Sequence, residues 1–143
     1  MDLWLDMRVT ADGYKIDDML KFLMVFIGGG LGSMLRFGIG QWIIGRWPQS
    51  IIAPALATFT SNMFASGILA ATLWYATEKA SLSDPLKALI MIGFCGGFST
   101  FSTFGYETFH FIRSGYPWIA IFNITASVLI SLLIIWKILG NPS

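Results

Sequence analysis

The residues of this sequence able to do chemistry cluster in one stretch, Gly93-Phe94-Cys95-Gly96-Gly97-Phe98-Ser99-Thr100-Phe101-Ser102-Thr103-Phe104-Gly105, with Glu107 and His110 just beyond it. Ser99, Thr100, Ser102 and Thr103 each carry a hydroxyl that can donate and accept. Phe101 and Phe104 stand three apart, so on a helix they share a face. The edge of a phenyl ring is electropositive, and ring edges alternating with hydroxyl donors could replace the water around a small hard anion. Plain packing of two phenylalanines is the other reading of that spacing. Asn62 could donate its amide hydrogens to an anion or bond to a neighbouring helix. Arg36 could snorkel to an interface or set a positive potential in a water-filled vestibule. Glu107 could relay an ion or proton, or simply end a helix at an interface. With one histidine and one cysteine, the chain assembles no nucleophile, base and acid set, no His-Glu-x-x-His pair and no phosphate-binding loop, so no enzyme is expected. Cys95, the single cysteine, can form neither an internal disulfide nor a Cys/His metal site.

What positions these groups must be apolar. The chain has 143 residues, 55% hydrophobic and 12% charged, against about 25% charged in a soluble domain, and a mean hydropathy of +0.69. Lipid is the expected solvent. A formal charge of +1 with no basic cluster leaves no footprint for nucleic acid. Crossing about 30 Å of hydrocarbon takes roughly 20 apolar residues, and four such runs are found, over residues 21–44, 52–76, 86–112 and 118–139. They are divided by Gly45-Arg46-Trp47-Pro48, by Glu78-Lys79 with Ser81-Leu82-Ser83-Asp84-Pro85, and by Arg113-Ser114-Gly115-Tyr116-Pro117. The expectation is an all-α membrane protein, with residues 1–19 a polar, acid-rich arm and residues 20–143 a four-span domain.

Asn62 then falls near mid-membrane, and Arg36 follows an apolar run of only about 21 Å, which puts it inside the first helix. Gly93, Gly96 and Gly97 beside the hydroxyls of the third span make a poor helix, and a break there frees carbonyls and amides. Such groups are tolerated at membrane depth where they are buried in protein or line a wet cavity or ion site. Close packing through small residues is the alternative. Arg8, Lys15, Lys21, Lys79, Lys87 and Lys137 lie on the side of both termini, against Arg46 and Arg113 opposite, a count favouring cytoplasmic termini. Four helices pack around side chains and leave no lumen, so one copy is too small to enclose a pore alone.

The segment from Gly93 to Phe104, followed by Glu107, resembles the third-span signature of the fluoride-channel family called Fluc or CrcB. Gly28-Gly29-Gly30-Leu31-Gly32-Ser33-Met34-Leu35-Arg36-Phe37 is similar to the family's first-span motif, and Thr58, Asn62 and Ser66 to its second-span pattern. The likeness covers residues 20–139. It implies a homodimer in the lipid of a prokaryotic plasma membrane, its two copies inserted in opposite orientations, with two narrow pathways at their interface for passive fluoride exit. Phe101 and Phe104 would line fluoride sites, Asn62, Ser102 and Thr103 would add polar contacts, and Glu107 would lie along the route. Arg36 belongs to the matching first-span motif. A structural Na+ would be held by the main-chain carbonyls of Gly96 and Ser99. The choice of fluoride over another anion rests on the resemblance alone. Ala57 and Ala65 stand where the family has glycine, and Asn123 where it often has tyrosine. The rival reading, a small multidrug-type exporter, would need a membrane-embedded carboxylate, for which Glu107 is the only candidate; a non-transporting membrane subunit is a third.

Overall fold

The computed structural model describes residues 16–79 and 81–140, all in helices and the turns between them. Most of the segment assigned to a polar arm lies outside the described residues. Its last four residues are helical: α1 runs Ile16–Arg46 and so includes residues 16–19. Hydropathy falls away before Lys21, but a helix tolerates acid in its first turn, where carboxylates face unpaired N–H groups, and Asp18 there pairs with Lys21 at 3.3 Å.

Helix α2 is Ala53–Glu78. The third span, Asp84–Arg113, is built of four pieces: α3 (Asp84–Lys87), a π-helical stretch (Ala88–Phe94), α4 (Cys95–Phe98) and α5 (Phe101–Arg113). Helix α6 is Pro117–Leu139. Pro54, Pro85 and Pro117 fall in the first two positions of their helices, where a missing N–H costs nothing. Helix α5 stops in a Schellman turn, with Tyr116 N–H donating to Phe111 O at 2.8 Å and Gly115 N–H to Ile112 O at 3.2 Å. That turn needs a left-handed residue, and Gly115 supplies it at φ +83°.

The four long helices are apolar and long enough to cross a membrane. They alternate in direction, so the end of α1, the start of α2, the end of α5 and the start of α6 share one membrane face. No more than 28% of the most apolar stretch of any span is buried within the chain, so the rest must meet lipid or another protein surface.

Between α1 and the third span the backbones themselves touch. A β-carbon at Gly28 would strike the carbonyl of Leu89, one at Gly32 that of Phe94, and one at Gly97 that of Gly29. Two glycines four apart on each helix thus interlock, the small-xxx-small contact that lets helices approach without side chains. Gly93 and Gly97 are spent on this contact and remain helical. The non-helical backbone is confined to Ser99 (φ −82°, ψ 161°) and Thr100 (φ −153°, ψ 124°), narrower than the expected interval from Gly93 to Thr100. Helix α2 buries a row of small residues, Ala53, Ala55, Ala57, Ser61, Ala65 and Ala70, and meets α6 through a 2.8 Å Ser66–Ser131 hydroxyl bond.

Candidate functional site

The two extended residues reroute the helical hydrogen bonds around them. In an unbroken helix Thr100 N–H would donate to Gly96 O; here it donates to Asn62 Oδ1 at 2.8 Å, and Asn62 Nδ2 donates back to Thr100 O at 3.3 Å. One mid-span amide on α2 thereby clasps both peptide groups of Thr100. Thr103 N–H, which would otherwise reach Ser99 O, donates to Thr100 Oγ1 at 3.3 Å, the N-cap of α5. The carbonyls of Gly96 and Ser99 are thus deprived of their helical donors. Gly97 O is covered differently, by Arg36 Nε at 3.1 Å and Ser33 Oγ at 3.4 Å. Arg36 therefore ties α1 to the turn before the break.

Most of the site residues expected from sequence line one of two grooves. The first, of about 370 Å³, is lined by Asn62, Ser66, Ser99, Thr100, Phe101 and Phe104, with Ser127 and Ser131 across from them on α6. The rings of Phe101 and Phe104 stand 6.1 Å apart at 39°, and Phe101 is 84% exposed. The second groove, of about 410 Å³, holds Arg36, Thr103 and Glu107, together with Ser33, Gln41, Thr58 and Tyr106. Glu107 is buried, accepts from Thr58 Oγ1 at 2.8 Å through Oε1, and leaves Oε2 without a partner among the described residues. It is no interfacial helix end. Ser102 lines neither groove and is exposed. Gly96 is exposed too, and a β-carbon on it would meet nothing within 4 Å. His110 is exposed and stacks on Tyr106, centroids 6.3 Å apart.

Sequence reasoning overlooked the α6 wall of the first groove and the bond from Thr58 to Glu107. A signal for both existed: Thr58, Asn62 and Ser66 on α2, and Asn123, Ser127 and Ser131 on α6, are polar groups repeating every fourth residue on otherwise apolar helices. Asn123 Nδ2, Ser127 Oγ and Thr108 Oγ1 are buried with no partner among the described residues, and buried polar groups are ordinarily satisfied by protein or ordered water. Among the described residues no three His, Cys, Asp or Glu side chains gather where they could hold a metal; the donors available to a cation are oxygens of the main chain and hydroxyls.

Four helices long and apolar enough to cross a membrane, with an interrupted third span and two grooves lined by apolar side chains and a few polar groups, define the class as an integral membrane protein. The chain belongs to the CrcB family, whose description is "CrcB-like protein, Camphor Resistance (CrcB)", matched over residues 23–139. Relatives include the fluoride-specific ion channel FluC of Gloeothece citriformis, 38% identical over 67% of this chain and 75% of that protein. The channel of the same name from Pyrococcus horikoshii is 35% identical over 79% and 88%, and that of Saccharophagus degradans 36% over 80% and 83%.

Proposed function

We propose that this protein is a fluoride-selective channel through which cytoplasmic fluoride leaves passively. The observation that carries the reading is the first groove: two phenylalanine rings, an amide and a run of hydroxyls line one path at mid-membrane, in a chain whose relatives are named fluoride-specific channels. A small hard anion loses its water there and gains ring edges and O–H and N–H donors in its place, all neutral groups that bind without trapping. The second nitrogen hydrogen of Asn62, left over from its bond to Thr100, is available to the ion. Arg36 and the donors of the second groove gather the anion before it sheds water, and Thr58 holds Glu107 to one side of that path. Fluoride that enters an acid-exposed cell as HF dissociates inside and runs out down its own gradient, so no pump is required.

The working unit we infer is a homodimer of oppositely inserted copies in a prokaryotic plasma membrane, with residues 20–143 as its channel domain. An 84% exposed Phe101 and a bare Gly96 argue for it, because a second copy would turn each open groove into a closed path. The freed carbonyls of Gly96 and Ser99 suit a sodium ion, which takes hard oxygen ligands. Such an ion would supply fixed positive charge and cross-link the two third spans. Coupled export has less support: its one carboxylate, Glu107, is already engaged by Thr58. Proteoliposomes of the purified protein under a potassium-valinomycin clamp test the reading. Fluoride should leave without a proton gradient and chloride should stay; equal chloride flux, or a strict need for protons, would overturn it.

A further inference from the structure

We propose that the main-chain N–H groups of Phe101 and Ser102 form an anion-binding subsite of the first groove, where the positive end of α5 meets Ser127. The inference rests on the channel reading above and adds to it backbone donors that stand in for the ion's water at the break. Helix α5 begins inside the third span, so its N-terminus lies at membrane depth, and the first N–H groups of a helix have no acceptor within it. Thr103 N–H is taken by the Thr100 hydroxyl. In an unbroken span Phe101 and Ser102 would donate to Gly97 O and Phe98 O, but Ser99 and Thr100 are extended and neither N–H reaches another carbonyl among the described residues. Gly97 O is bonded to Arg36 and Ser33 instead.

Donors at that depth call for an acceptor, because an unmet N–H facing hydrocarbon is costly. Two features select an anion. The N-terminus of a helix carries a partial positive charge of roughly half an elementary charge, and the first turn of α5 contains no acid to neutralise it. Across the groove, Ser127 lines the same wall space as Thr100 and Phe101. That serine is 8% exposed, and its hydroxyl has no partner among the described residues. Ser61 and Ser66 on α2 behave differently, each donating to the carbonyl four residues back. The Ser127 proton is not spent in that way and is left for whatever occupies the groove. A small anion there accepts from the main chain of α5 on one side and from a hydroxyl of α6 on the other, with the Phe104 ring one turn along, 6.1 Å from that of Phe101.

Removing the N–H groups one at a time, with the side chains held fixed or matched, tests this. Proline lacks an N–H and is accepted in the first turn of a helix; Pro54 holds the second position of α2, as Ser102 does in α5. S102P therefore deletes one donor, and S102A, which keeps the N–H and loses only the hydroxyl, is its reference. At residue 101 the α-hydroxy acid analogue of phenylalanine replaces N–H by an ester oxygen and keeps the ring, with the parent as reference. Fluoride efflux from proteoliposomes and melting in detergent are measured for all four proteins. Loss of a donor to an anion should slow efflux roughly tenfold relative to the reference, at an unchanged melting temperature, because the lost N–H bonded nothing within the protein. The subsite stands if either variant behaves so. It is overturned if neither does: efflux equal to the references means that water alone meets these groups, and slow efflux with earlier melting means that they are already bonded within the protein. A parent that passes no fluoride overturns the channel reading itself, a result distinct from a conducting parent whose efflux is indifferent to both replacements.

Discussion

A phenyl ring and an isoleucine side chain are both bulky and apolar, but only the ring has a positive edge to offer an anion. Phe101→Ile and Phe104→Ile should therefore each slow fluoride efflux roughly tenfold, a loss of about 1.4 kcal/mol, while the detergent-purified protein elutes as the parent does. Unchanged flux in both variants would return the pair to packing. Asn62 cannot be read by truncation in the same way, because its amide also fastens Thr100, so alanine there loosens the break as well as the path. Thr58 carries a separate consequence. Among the described residues its hydroxyl is the one donor to a buried Glu107, and a hydrogen bond to a charged group is worth about 1.5–3 kcal/mol. Thr58→Val should lower thermal stability in detergent by that order and Thr58→Ser should restore it. A valine variant as stable as the parent would mean that Glu107 finds another partner.

At the scale of elements, the contact between α1 and the third span leaves no room to yield, since the atoms facing Gly28, Gly32 and Gly97 are backbone carbonyls that cannot rotate aside. Gly32→Ala and Gly97→Ala should cost about 1–3 kcal/mol by overpacking. Gly45→Ala, in the last turn of the same α1 with nothing within 4 Å, should be neutral or gain up to about 1 kcal/mol of helix propensity. Thermal aggregation in detergent decides it, and an equal drop at Gly45 would contradict the interlock. The extents of these helices were legible in the sequence, because long apolar runs bounded by Pro, Gly and charge have little freedom of interpretation. The helix ends fall within two residues of the expected spans except at Ile16, where helix outlasts hydropathy. Of the two grooves, most of the polar lining residues and the neighbourhood of the third-span interruption were legible, although the extended backbone is confined to Ser99 and Thr100 and neither groove includes Ser102 or Gly96. The partners were not: that Asn62 clasps Thr100, that Arg36 reaches Gly97 and that Thr58 meets Glu107 depend on which faces of three helices meet. The π-helical stretch Ala88–Phe94 gave no warning either, since its seven residues are ordinary apolar helix formers apart from Gly93.

For the whole molecule the question is what covers a chain so open on its site side. Lipid alone would leave the freed carbonyls of Gly96 and Ser99 without partners, and polar groups facing hydrocarbon cost several kcal/mol each. The proposed second copy of the chain would answer this, and an inverted one would give each membrane face one mouth of each kind. The loop charges permit it: among the described residues Lys21, Lys79, Lys87 and Lys137 on one face oppose Arg46 and Arg113 on the other, a modest asymmetry for a rule that works by lysine and arginine excess. A single cysteine at Ser81, exposed in the second loop, in a background where Cys95 is alanine, reports the outcome with a membrane-impermeant maleimide. Roughly half of the protein should react from each side of the membrane if the chain inserts both ways. Reaction from one side alone would reject the inverted pair. The grooves would then have to be closed by a parallel neighbour, which would put Gly96 and Phe101 of both copies at the same depth but facing mouths of the same kind, and fluoride would enter and leave through chemically different ends.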